Sequence, residues 1–332
     1  RDFMADSEAI RMKPDGRTLV IDGGDIENLS FDITKTAHRQ IGKVLEIPAA
    51  YYDKCLENAP SLLAQSVNTW LHKENRTQMI RTFDYSDSPT EGVNTARAFL
   101  SKKYRTLDNV DILNNVLPII TDKGAEIRSS NVTSTHMYIH AAFPQVQGEI
   151  KTGDVVSSGV MIRNSDVGLS ALKISPWIER LKCMNGMIAA DSAVRKYHVG
   201  KAQTSSDLAY ELMSDETKRK TDDAFWSQVR DVVRATIDEV QFQKICDQYK
   251  DKATEEAAEP TKAVEVITYK HKLSNEESKS MLQHLCEGGD YSTWGIANSV
   301  TRLAHDVKSY DRAVELEDIG GRVMEMNAKD WK

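Results

Sequence analysis

Cys183 and His198 share the stretch RLKCMNGMIAADSAVRKYHVG, residues 180–200, and their types alone suggest chemistry. A thiol acts as a nucleophile when a base lies within hydrogen-bond reach and the surroundings stabilise the thiolate. Cys183 instead stands between Leu181 and Met184, an apolar passage, and free cysteine ordinarily behaves as a small buried residue. It is expected to be structural and buried. Asn185-Gly186 reads as a tight turn with positive φ. The same stretch carries Arg180, Lys182, Arg195, Lys196, Tyr197 and Lys201, with His198 beside them. Those types suit a polyanion, since cations neutralise phosphates and a ring stacks on an unpaired base.

His136 and His140 stand four apart in STHMYIHAA. On a helix they could chelate one metal ion. The β-branched context favours a strand, which sets them about 13 Å apart at about 3.3 Å per residue, so no metal site is expected. No glycine-rich phosphate loop of either common type is present, which removes support for ATP-driven motors and dinucleotide enzymes. Carboxylates cluster at Glu255-Glu256 and over Glu315 to Asp318, most readily as solvated faces. A metal-dependent nuclease is therefore the alternative on the enzyme side. Neither a cofactor nor a catalytic residue is assigned.

Two further basic points stand out: the run Lys102, Lys103, Tyr104, Arg105, and Arg163 near a strand end. The chain has 332 residues and a formal net charge of −7, which argues against a generic basic nucleic-acid binder. Its distribution is uneven. Residues 163–201 hold seven Lys or Arg against three Asp or Glu, and residues 202–261 hold eight against fourteen. A basic segment runs directly into an acidic one. Solvated surface is the plain reading of both, and a polyanion-facing surface the functional one.

These residues need a scaffold. The composition, 40% hydrophobic and 28% charged, is that of a globular chain. No apolar run approaches the roughly 18 residues of a membrane span, and the first residues contain no apolar core of a secretory leader. Four widely spaced cysteines, Cys55, Cys183, Cys246 and Cys286, signal neither a zinc site nor a disulfide framework and fit a reducing cytoplasm. GRTLVIDGG reads as a strand, and three helices follow before a strand at residues 79–85. A helix over residues 109–121 precedes alternating segments over residues 126–175, which read as antiparallel strands. Helical patterning resumes near residue 205, with a capping box at Ser274 and Glu277 and a Gly-Gly interruption in the last helix. The fold expected is α+β: a central antiparallel sheet flanked by helices, with a helical C-terminal portion. The divisions expected are residues 1–90, 91–204 and 205–332, with a mobile loop over 252–262.

AFLSKKYRTLDN, GVMIRNSDVGLSALKI, ERLKCMNGMI and GGDYSTWGIANSVTRLAHDV, in that order, resemble the phage- and plasmid-like proteins grouped as domain of unknown function 932. EIPAAYYDKCLENAPSLLAQSVNTWL resembles the N-terminal part of the same family, so the likeness spans residues 33–331. Lys102 stands where an acidic residue is common in that pattern. The resemblance implies a phage or mobile-element setting and no assigned activity. A small antiparallel sheet with crossing helices, a basic region and no ATP motif is also similar in kind to phage single-strand annealing proteins. The expectation is a non-enzymatic, ATP-independent DNA-binding or strand-annealing protein of the bacterial cytoplasm. It would act as a homo-oligomer on single- or double-stranded DNA, through Lys102, Lys103, Tyr104, Arg105, Arg163, Arg180, Lys182, Arg195, Lys196, Tyr197 and Lys201. A structural or host-interaction protein that does not touch DNA is the remaining class.

Overall fold

A computed structural model describes every residue except 1, 23–27, 75, 84–93, 103, 105, 184, 190–214, 256–258, 328 and 332. For 215–219 and 221–222 it describes the backbone alone. The chain is α+β and divides into two units: residues 1–106 with 166–169, and residues 107–165 with 170–332. The boundary expected near residue 90 thus falls inside the first unit, between two strands that pair with each other.

In the first unit β1 (Asp2–Asp6), β2 (Ile10–Met12), β3 (Thr18–Ile21), β4 (Leu29–Ile33), β5 (Thr77–Phe83) and β6 (Thr95–Ser101) form one sheet. Its order is β1-β5-β6-β4-β3-β2. All pairs are antiparallel except β4 with β6. Sequence periodicity missed β4 and β6, because buried residues run five in a row along β6 and leave no alternation to read. Helices α1 (Lys35–Val44), α2 (Ala49–Asn58) and α3 (Pro60–Lys73) follow β4. Thr34 starts α1 by accepting the Ala37 N–H, and Ile41, Leu63, Val67 and Leu71 pack with Phe31, Ile80 and Phe99. Residues 166–169 complete the unit. Arg97 Nη2 donates to both Asp166 carboxylate oxygens, and Val167 packs with Met79, Ala98 and Leu100.

The second unit opens with α4 (Asn109–Asp122), followed by an antiparallel meander. The meander comprises β7 (Glu126–Val132), β8 (Met137–Lys151), β9 (Asp154–Asn164), β10 (Lys173–Arg180) and β11 (Asn185–Ile188), in the order β11-β10-β9-β8-β7. Strand β10 begins at Lys173, later than the alternation from Val167 suggested. Helices α5 (Asp215–Thr236), α6 (Glu239–Thr254), α7 (Pro260–His271), α8 (Asn275–Gly288), α9 (Thr293–Arg302) and α10 (Tyr310–Met324) complete the unit.

One sheet face is apolar. Ile139, Ala141, Val160, Ile162 and Ile174 meet Ile112, Val116 and Ile120 of α4 and Val229, Val232 and Val233 of α5. Helices α6 to α10 bury a second core with Ile150, Val156 and Met187 of the sheet. The expected capping box is present at Ser274 and Glu277. Gly320-Gly321 does not interrupt α10: the helix runs through it, and a Cβ on Gly320 would lie 2.3 Å from Thr301 Cγ2 of α9. The glycine pair permits close helix packing.

Three local expectations change. Asn185-Gly186 is not a turn: both residues begin β11 and pair with Arg180 and Glu179. The turn lies before them, and there Cys183 is exposed, because turn side chains between β10 and β11 face water. In the segment expected to be mobile, α6 continues to Thr254 and α7 starts at Pro260. Lys252 Nζ donates to the Met326 carbonyl, and the Glu255 carbonyl accepts the Thr293 N–H at 2.9 Å. Ala253 is buried at the segment's start, and residues 256–258 of the expected loop lie outside the described residues. Among the described residues, no helix is long and apolar enough to cross a membrane.

Candidate functional site

Strand pairing sets the site. In the second sheet Ser129 faces His140, which faces Met161. Two residues along, on the same face, Asn131, Tyr138, Arg163 and Lys173 form the next row. Helix α10 covers this face with Tyr310, Asp311, Val314, Glu317 and Asp318, whose spacing of one, three, four and seven residues puts them on one side of a helix. Val314 and the Tyr310 ring pack with Tyr138, Met161 and Trp177, and polar contacts flank them.

At the deep end, the His140 imidazole is 3% exposed and its Nε2 lies 2.8 Å from a Glu317 oxygen. Its Nδ1 lies 3.2 Å from both Ser129 Oγ and Tyr310 OH, and those two oxygens are 2.7 Å apart. A carboxylate only accepts, so Nε2 carries a hydrogen, and in the neutral imidazole Nδ1 is the acceptor for a hydroxyl. Burial raises the Tyr310 phenol, as does Glu317, while the Ser129 hydrogen bond pulls the other way. The phenol therefore stays protonated at neutral pH.

At the shallow end, Asp311 accepts from Tyr138 OH at 2.7 Å and from the hydroxyls of Thr133 and Thr135. Burial first, then this carboxylate, raises the Tyr138 phenol well above its ordinary value. Lys173 donates to Asp318 at 2.9 Å. Burial alone would raise the Asp318 carboxyl, but Lys173 and Arg322 outweigh it and hold it below the usual carboxylate range. Arg163 lies between Tyr138 and Lys173 and differs from both. Among the described residues its buried Nε has no hydrogen-bond partner, and no ion pair joins it to any of them.

The other expected contact residues scatter. Lys102 is exposed after β6, and Tyr104 packs half-buried with Leu100 and Val167, both in the first unit. Lys182 is exposed beside Cys183. Arg180 serves the structure: it donates to both Asp154 oxygens at 2.7 Å, and Trp294 Nε1 donates to the same carboxylate at 2.9 Å. Lys103, Arg105, Arg195, Lys196, Tyr197, His198 and Lys201 lie outside the described residues. His136, set aside as a metal ligand, sits 3.1 Å from Ser170 Oγ. Among the described residues, no three His, Cys, Asp or Glu side chains converge as a metal site.

Sequence reasoning missed Ser129 and Tyr310, and read Glu317 only as part of a solvated carboxylate cluster. A hairpin register through Thr133–His136 would have put Ser129 opposite His140, but nothing in the sequence says which helix covers them.

A family model of a domain of unknown function, DUF932, matches residues 97–322, more than half of the chain. The chain belongs to the DUF932 family. The match takes in the whole second unit up to Arg322, and with it β7 to β11 and the polar face under α10. Searches of curated proteins and of solved structures gave no match. The DUF932 assignment bears out the resemblance read from the sequence and carries no activity with it.

Proposed function

We propose that this DUF932 protein is a phage- or plasmid-borne DNA-binding protein of the bacterial cytoplasm that acts without ATP, in strand annealing, as a homo-oligomer. The observation that carries this reading is Arg163. A cation in the middle strand of a sheet, beside Tyr138 and with a buried Nε that meets no partner among the described residues, is a costly arrangement unless an anion completes it. A phosphate oxygen is the natural acceptor for a guanidinium fork, and the neighbouring ring offers a surface for a base. The lysine and arginine surplus that starts at Arg163 and runs to Lys201 supports the same reading.

Within it the contact set narrows. Arg180 is excluded by its fork to Asp154 and Tyr104 by its packing. Arg163, Lys182, Lys102, Lys103 and Arg105 remain, with Arg195, Lys196, Tyr197 and Lys201 as the positions beyond β11.

The test is anisotropy of labelled single- and double-stranded DNA over a salt series, with chelator controls. Affinity for single strands should fall by roughly 0.7 log units per contacted phosphate for each decade of salt. Arg163→Ala should flatten that slope by about one contact, and Arg195→Ala with Lys196→Ala by about one to two, alike for all sequences. No binding at low salt would overturn the reading in favour of a protein-interaction role. Chelator-sensitive cleavage would replace it with a nuclease.

A further inference from the structure

The Ser129–His140–Glu317 cluster is independent of the DNA reading and has its own chemistry. Its burial is graded. The Glu317 carboxylate is 13% exposed and the His140 ring 3%, while Ser129 is only half-buried and lies on β7, the edge strand of the sheet. The half-buried carboxylate orients the imidazole, Nδ1 of the neutral imidazole accepts, and the hydroxyl it meets belongs to a half-buried residue of the edge strand. A nucleophile, a base and a group that orients the base are thus joined in a single hydrogen-bonded series. Tyr310 adds a fourth part. Its phenol lies 2.7 Å from Ser129 Oγ, where an O–H can turn to a carbonyl oxygen bound at that serine.

We propose that Ser129 is the nucleophile of a hydrolytic site for carboxylic esters, with His140 as general base, Glu317 as its orienting carboxylate and Tyr310 as oxyanion donor. Ser129 Oγ attacks the ester carbonyl carbon while its proton passes to His140 Nδ1. The carbonyl electron pair moves onto oxygen, which accepts from Tyr310. Collapse breaks the carbon–alkoxy bond, and the leaving alkoxide takes the proton from Nδ1. Water, activated by the same nitrogen, then releases the acid and restores Ser129. Glu317 accepts from Nε2–H throughout and is never protonated. A carboxylic ester suits the site because Ser129, His140 and Tyr310 set a hydroxyl, a base and one neutral donor side by side, the parts that acyl transfer to a hydroxyl requires.

The test is reaction with a fluorophosphonate probe, read by intact mass and peptide mapping, alongside hydrolysis of p-nitrophenyl acetate. The wild-type chain should take one adduct, on Ser129. Ser129→Ala should melt as the wild type and take none. Glu317→Gln should slow labelling by on the order of 10³-fold, by releasing the imidazole tautomer. Tyr310→Phe should slow ester turnover by about 10²-fold. A folded wild type that takes no adduct, an adduct on another residue, or undiminished turnover in Ser129→Ala would each overturn the proposal and leave the cluster as a clamp between sheet and helix. DNA binding has no part in any of these readings.

Discussion

The Trp177 indole covers Gly186 so closely that a Cβ there would lie 2.0 Å from Trp177 Nε1. The glycine serves packing between β10 and β11, not a turn, and its φ is not positive. Gly186→Ala should therefore cost about 1–3 kcal/mol, as overpacking does. A methyl group on Gly288 in α8 would meet nothing within 4 Å, and the φ there is not positive, so Gly288→Ala should be neutral or stabilising by about 0.5 kcal/mol. Thermal unfolding of both variants checks the contrast. A Gly186→Ala protein that melts with the wild type would refute the packing role.

Asp154 joins three elements through one carboxylate, with Arg180 of β10 and Trp294 of α9 both donating to it. Asp154→Ala would leave a buried guanidinium and a buried indole N–H unpaired, and should cost about 3 kcal/mol or more. Arg180→Ala should likewise lower the denaturation midpoint while leaving the salt slope of DNA binding unchanged. A stable Arg180→Ala protein with a flattened slope would return Arg180 to the phosphate contacts.

His38 is buried in the first unit, its Nδ1 2.9 Å from Tyr52 OH, beside a cavity of about 220 Å³ lined also by Arg39, Lys43 and Ile47. Burial, then Arg17 and Arg39, lowers its pKa from 6.5 to about 4. Between those values the unfolded chain binds a proton that the folded chain refuses. The stability this site contributes is complete above 6.5, falls as pH drops toward 4 and then levels, by about 3 kcal/mol in all. Urea midpoints from pH 7.5 to 4 should show the decline, and His38→Gln should remove most of that slope. An imidazole that titrates near 6.5 by NMR would contradict it.

All four cysteines are free, Cys183 and Cys286 exposed, Cys55 and Cys246 buried. Burial pushes the Cys246 thiol up to about 11. Titration with an aromatic disulfide reagent should consume two thiols rapidly in the native protein and four in denaturant. Cys183→Ser should then remove one rapid equivalent with little loss of stability. Slow reaction at Cys183 would show that its turn is covered.

Much of the fold was written locally. Amphipathic spacing fixed α1 to α4, the Ser274–Glu277 box placed the start of α8, and alternation marked β7 to β9, because each signal depends on neighbours a few residues away. The family was legible for the same reason, since its motifs are short ordered strings. Strand β6 was not legible, because burial on both sides of a sheet removes alternation. Nor was the exposure of Cys183, which depends on where a turn falls between two paired strands. The fate of Arg180 hung on Asp154, 26 residues away, and Trp294, further still. The candidate site shows the division most sharply. The sequence by itself determined that His140 lies on a strand, because alternation is written within a few neighbouring residues. Only the tertiary structure decided that α10 covers that strand, bringing Tyr310 and Glu317 to His140 across 170 and 177 residues. Hydrogen bonds and burial act over a few ångströms in space, and chain separation sets no limit on which groups they join.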